Sequence, residues 1–177
     1  LAGARPITTK LQQLCDEVRD PSRNLSWVLQ CNFVGSADSA ALVDLRVTAA
    51  IAVSPPMRLL FDVDSAGSMK AKVLVISGSR DWVVPPGPEA IEPMARATRG
   101  GASGHRLVLA ENADHFNLRS PRGEAGGPLR ALLLAWFNAA AGSSPANPPE
   151  LPLAGWGSAT HPLRDVTSAL PKPPSQP

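Results

Sequence analysis

Two hydrophobic rhythms alternate along this chain. Residues 46–56 hold the run Val47-Thr48-Ala49-Ala50-Ile51-Ala52-Val53, closed by Ser54-Pro55-Pro56. Val73-Leu74-Val75-Ile76 empties into Gly78-Ser79-Arg80-Asp81, and Leu107-Val108-Leu109 empties into Glu111-Asn112-Ala113-Asp114-His115. Near-continuous apolar runs bounded by turn residues predict strands over 46–53, 73–77 and 105–110, the first of them buried on both faces. Helical spacing fills the intervals. It predicts a helix over 8–19 with Leu11, Leu14 and Val18 on one side and Thr8 or Thr9 as cap. Short helices are expected over 25–33 and 37–45, with Ser36 or Asp38 capping the second. A helix over 88–99 places Ile91, Met94 and Ala95 on one face before Gly100-Gly101. A closing helix over 128–141 carries Leu129, Leu132, Leu133, Trp136 and Phe137. Residues 57–71 are irregular and should cross the mouth of the sheet.

Strand, helix, strand, helix, strand, helix is the order of an α/β fold, a parallel sheet with crossover helices. From Gly142 onward nine of the nineteen prolines occur among serines and small residues without an apolar period. The expected division is therefore a folded body over 1–141 and a proline-rich extended or disordered tail over 142–177. The opening Leu1-Ala2-Gly3-Ala4-Arg5-Pro6 reads like the end of a helix, so the body is expected to begin in the middle of a fold.

Composition narrows the function. With 177 residues, 44% apolar, and a net charge of +2 spread evenly, the chain suits a globular core. It has no basic aromatic-interleaved patch for nucleic acid, and no run long enough for a membrane span. Cys15 and Cys31 match no zinc or redox motif. Their spacing leaves a disulfide and two buried thiols as alternatives, and the disulfide would imply an exported protein.

The candidate chemistry sits after the strands, because parallel sheets gather functional groups outside the carboxyl ends of their strands. Ser54, Asp81 and His115 all fall there. A carboxylate behind an imidazole fixes its tautomer and steadies the imidazolium formed when it accepts a proton. Asp81 and His115 on successive strands therefore predict an acid–base pair, with Asp81 orienting His115 as general base. Each alone has an ordinary structural reading, a turn aspartate and a loop histidine. Asp114 competes as the acid but neighbours His115 directly, and Asp62 and Asp64 are weaker candidates. His105, before its strand, should be solvated, and His161 in the tail should lack a partner. Trp27 and Met57 read as core or cap residues. No Cys/His cluster has metal-ligand spacing, and no glycine-rich loop suits a nucleotide or other cofactor.

Residues 73–86, Val-Leu-Val-Ile-Ser-Gly-Ser-Arg-Asp-Trp-Val-Val-Pro-Pro, resemble the acid-bearing strand and loop of the α/β-hydrolase fold. Ala113-Asp114-His115-Phe116 resembles that fold's histidine loop. Residues 46–56 resemble the preceding strand in its dienelactone hydrolase and lipase–esterase branch, and residues 1–6 the end of the helix after the nucleophile elbow. The resemblance covers roughly residues 1–140. It implies a partial hydrolase fold lacking the first strands and the elbow, with residues 19–45 and 57–71 as cap or pocket segments. It further implies an ester or acyl substrate and a Ser-Asp-His triad in which Asp81 and His115 serve.

No G-x-S-x-G elbow is present. Gly35-Ser36-Ala37 does not follow a strand, Gly101-Ala102-Ser103-Gly104 follows a helix, and Gly155-Trp156-Gly157-Ser158 comes after the histidine. Ser54 is followed by two prolines that stop an elbow helix. The chain therefore offers no nucleophile, and the resemblance places the serine in an amino-terminal half upstream of Leu1. A non-catalytic hydrolase-like binding or structural module is the alternative from a different class, and a flavodoxin-like or nucleotide-binding domain is a third.

Overall fold

The computed structural model describes residues 3, 7–17, 29–34, 43–61, 65–98, 104–119, 126–142 and 160–171. Its centre is a four-stranded sheet in the order β1-β2-β3-β4. The strands are β1 (Ala49–Val53), β2 (Lys72–Gly78), β3 (Arg106–Ala110) and β4 (Leu163–Asp165). β1, β2 and β3 run parallel, with Ile51 beside Leu74 and Ile76 beside Val108. β4 is antiparallel to β3, with Leu109 beside Arg164. The sheet is thus mixed, which corrects the expectation of a purely parallel one.

Side chains alternate across the pleat and so reach two separate cores. Leu74 and Ile76 of β2, with Val108 and Ala110 of β3, pack against Leu129, Leu132 and Trp136 of helix α5 (Gly126–Gly142). Val73, Val75 and Leu107 point the other way. They meet Met57 of α2 (Met57–Leu60) together with Ala90, Met94 and Ala97. The last two lie on α3 (Glu92–Ala97), which continues a π-helical turn over Gly87–Ile91. A fully buried Leu or Ile contributes roughly 1.5–3 kcal/mol, so coverage of both faces is what holds β2 and β3 in the centre.

β1 behaves differently. All five of its residues are half-buried, against the expected burial on both faces. It pairs with β2 on one side and has no other partner strand among the described residues.

Two further expectations change. α1 (Thr8–Asp16) buries Leu11 and Leu14 against Leu59, but Ile7, not a threonine, occupies its N-cap. The Ile7 N–H donates instead to the Leu60 carbonyl at 2.8 Å. Cys15 at the end of α1 is bonded to Cys31 in the 3-10 turn Leu29–Phe33, with Cα atoms 5.7 Å apart. Within the expected 57–71 crossing segment, Met57–Leu60 is helical and Ser65–Ser68 forms a 3-10 turn.

The described part of the tail, residues 160–171, joins the body. Besides β4 it supplies a 3-10 turn at Thr167–Ala169, whose Thr167 hydroxyl accepts the Leu107 N–H at 2.9 Å. The ladder to β3 repays the ordering entropy that apolar content alone could not. Met57 is core, as expected. Val18, Trp27, Ser36, the 37–42 part of the third helix, Asp62, Asp64, Trp156 and residues 101–103 lie outside the described residues.

Candidate active site

Asp81 and His115 meet at the carboxyl rim of β2 and β3. His115 Nδ1 lies 2.9 Å from Asp81 Oδ2, and the two residues are 6% and 2% exposed. A carboxylate only accepts, so Nδ1 carries the proton and donates, leaving Nε2 as the basic nitrogen.

Each loop is built to hold its residue. Asp81 Oδ1 accepts the N–H groups of Val83 and Val84 at 3.0 and 2.8 Å, closing the turn after β2. One carboxylate therefore fills both readings of this aspartate: Oδ1 builds the loop while Oδ2 holds the imidazole. On the other loop, Asp114 Oδ1 accepts from Phe116 and Asn117 N–H, each at 2.8 Å. The Asn117 side chain accepts the Asp114 N–H at 2.8 Å in return. This reciprocal cap starts helix α4 (His115–Arg119) and sets His115 on its first turn. His115 Nδ1 turns to Asp81 while Asp114 caps the helix, so Asp114 is not the acid of this pair.

The loops are also laced to each other. Ser79 N–H donates to the Ala110 carbonyl at 3.0 Å and Arg80 N–H to the Ala113 carbonyl at 2.9 Å. Asn112, with φ +59°, donates its N–H to Ser79 Oγ at 2.8 Å. Gly78 is required at this crossing, since a Cβ there would overlap the Ala113 carbonyl oxygen.

The tail braces the same corner. The Glu111 N–H donates to the Pro162 carbonyl, 2.9 Å, and the Asn112 side chain to the Thr160 carbonyl, 3.2 Å. Arg164 forms a 2.6 Å ion pair with Glu111 whose approach falls short of hydrogen-bond geometry. His161 Nδ1 lies 3.1 Å from the Glu111 carbonyl oxygen, so the expectation that His161 lacks a partner is corrected.

His105 is corrected too. It lies at the opposite end of the sheet, as expected, but it is 3% exposed, and its Nδ1 accepts the Val73 N–H at 3.1 Å. Burial lowers its pKa, because the imidazolium would lose solvation.

No hydroxyl completes a triad among the described residues. Ser54 follows β1 with φ +46°, an uncommon conformation for a non-glycine residue. Its Oγ and that of Ser77 are buried without a hydrogen-bond partner, so neither is held by His115. Sequence reasoning missed Glu89, a buried carboxylate that accepts the Arg58 and Leu59 N–H groups at 2.9 and 3.4 Å. Desolvation raises its pKa, opposed by those two hydrogen bonds and by Arg58 and Lys10. Glu89 ties α2 to the turn after β2; only its place in an apolar helical face hinted at burial.

Among the described residues, no three His, Cys, Asp or Glu side chains group to hold a metal ion. No helix among them is long and apolar enough to cross a membrane. Comparison with known proteins yields no matching family model, curated protein or solved structure.

Proposed function

We propose that this chain is the carboxyl-terminal part of an α/β-hydrolase that acts on carboxylic esters. It supplies Asp81 and His115 to a Ser-Asp-His triad whose serine is contributed by residues outside this chain. The observation that carries the reading is the buried 2.9 Å Nδ1–Oδ2 contact on the carboxyl rim of adjacent parallel strands. The half-buried apolar edge of β1 adds support, since it suits a further strand carrying the nucleophile.

In the complete enzyme His115 Nε2 takes the serine proton as Oγ attacks the ester carbonyl. Asp81 steadies the imidazolium. The imidazolium then protonates the departing alkoxide, leaving an acyl-enzyme. In the second half-reaction the same nitrogen deprotonates water, which releases the acid and restores serine. The oxyanion donors belong with the nucleophile segment. The Cys15–Cys31 bond is compatible with an exported enzyme.

A second reading, a non-catalytic hydrolase-like module, is favoured by one observation: no described hydroxyl bonds His115. The coding sequence before Leu1 separates the two. A G-x-S-x-G within about twenty residues upstream supports the triad, given the short strand-to-helix turn of an elbow. A start codon at Leu1 with no companion chain supports the module. Asp81→Ala and His115→Ala should each abolish ester hydrolysis by the protein bearing that elbow. Retained hydrolysis in folded variants would overturn the proposal, whereas complete loss excludes the nucleotide-binding alternative.

A further inference from the structure

Trp82 and Phe116 each follow one member of the acid–base pair, and both are exposed, at 67% and 61%. They come from different loops yet meet, with ring centroids 6.1 Å apart and planes at 52°. Phe116 also lies nearly perpendicular to the His115 imidazole, centroids 5.7 Å apart at 83°. Rings at this tilt are not stacked face to face, and both side chains keep most of their surface open to solvent. Exposed aromatic surface costs solubility, and when it gathers beside a candidate base it calls for an occupant.

The size of the patch decides what kind. Fully exposed aromatic side chains offer about 150–250 Å² each, so this pair presents on the order of 300 Å². A stable protein interface needs about 800 Å² on each side, whereas a single aryl or medium-length alkyl group fits the two rings. Aromatic faces also attract cations, but the exposed Arg80 lies two residues from Trp82 and disfavours a positive group.

We propose that Trp82 and Phe116 form a docking platform for an aryl or medium-length alkyl substituent of the ester, one ring away from His115. This rests on the hydrolase reading and deepens it to a substrate class: esters with an apolar acyl group in preference to acetyl esters. The two rings are specificity residues, and they take no part in proton transfer.

The test titrates the 177-residue chain with 4-phenylbutyrate and with acetate, the acids such esters release, while the NMR signals of the Trp82 indole N–H and the Phe116 ring are followed. Phenylbutyrate is expected to move both signals saturably and acetate to leave them in place. Trp82→Ala and Phe116→Leu should each weaken phenylbutyrate about tenfold, the order expected for losing one aromatic contact. Absence of saturable movement, movement confined to other tryptophans, or unchanged affinity in both variants would overturn the proposal. If a variant fails to fold, the unmodified chain still decides, because the position of its shifting signals is itself the readout. Asp81→Asn separates the two claims. Phenylbutyrate binding that survives in it, alongside undiminished hydrolysis by the elbow-bearing protein, would sink the triad and leave the platform. Loss of hydrolysis without any phenylbutyrate response would do the reverse.

Discussion

The two ends of the central sheet each bury a histidine, and the two histidines are in opposite states. At the carboxyl rim, His115 turns Nδ1 toward a carboxylate and donates to it. At the amino rim, His105 turns Nδ1 toward the Val73 N–H and accepts from it. The first arrangement leaves Nε2 basic, with a charge behind it to steady a captured proton. The second resists protonation, because Nδ1–H would face another N–H and the charge would have no solvent. Burial therefore does not tell the two ends apart. What distinguishes the ends is the partner of Nδ1.

The strongest way to break this comparison is to swap consequences between the ends. In the complete hydrolase proposed above, Asp81→Asn is expected to lower kcat/KM for esters on the order of 10³–10⁴-fold, as carboxylate loss does in serine triads. His105→Gln should change it less than twofold. Steady-state kinetics on a soluble ester measures both, and equal losses would erase the distinction between the two ends.

Gly78→Ala tests whether the carboxyl rim depends on loop contact. The new methyl group must push the Ala113 carbonyl away, at a stability cost of about 1–3 kcal/mol. Urea denaturation should register that cost, and hydrolysis should fall with it as His115 moves relative to Asp81. Reducing Cys15–Cys31 should lower stability by roughly 3 kcal/mol on chain-entropy grounds. The same denaturation, run with and without reductant, reads this out, and the His115–Asp81 contact should remain.

The amino rim gives a pH signature. Because the folded-state pKa of His105 is lowered, the unfolded chain binds more protons just below the ordinary histidine value near 6.5. His105 should therefore contribute full stability above about pH 6.5 and lose it as pH falls toward its depressed folded value. Glu89 has the opposite sign. Its raised pKa means the folded chain holds the extra proton, so its contribution declines as pH rises from about 4.5. Denaturation midpoints compared across pH for the native chain and His105→Gln should show a larger loss on the acid side of pH 6.5 in the native chain. The smallest expected effect is Arg164→Ala, about 0–1 kcal/mol by denaturation, since the arginine of that ion pair is largely exposed.

What could be read in the sequence was whatever is local. Val73-Leu74-Val75-Ile76 followed by Gly78 announces a buried strand and a tight exit, and the same logic applies to Leu107-Val108-Leu109. Asp81 and His115 were legible because equivalent places on parallel strands share one rim. What escaped depends on partners far along the chain. Leu163-Arg164-Asp165 has no period of its own and becomes a strand only because β3 has an edge to pair with. His105 looks like a solvated loop residue until Val73, 32 positions earlier, presents an N–H to it. Asp114 seemed a rival acid because the N–H groups of Phe116 and Asn117 that its carboxylate caps are not presented together until the helix exists. β1 differs in another way. Its Ala49-Ala50-Ile51-Ala52-Val53 run reads as buried on both faces, yet all five residues are half-buried.

The most direct measurement is the nitrogen-15 NMR spectrum of the histidine rings in the 177-residue chain at neutral pH. His115 should appear as the Nδ1–H tautomer, with a strongly downfield ring proton that disappears in Asp81→Asn, while His105 appears as Nε2–H. A His115 ring protonated at Nε2, or one indifferent to Asp81→Asn, would contradict the acid–base pair on which the account depends.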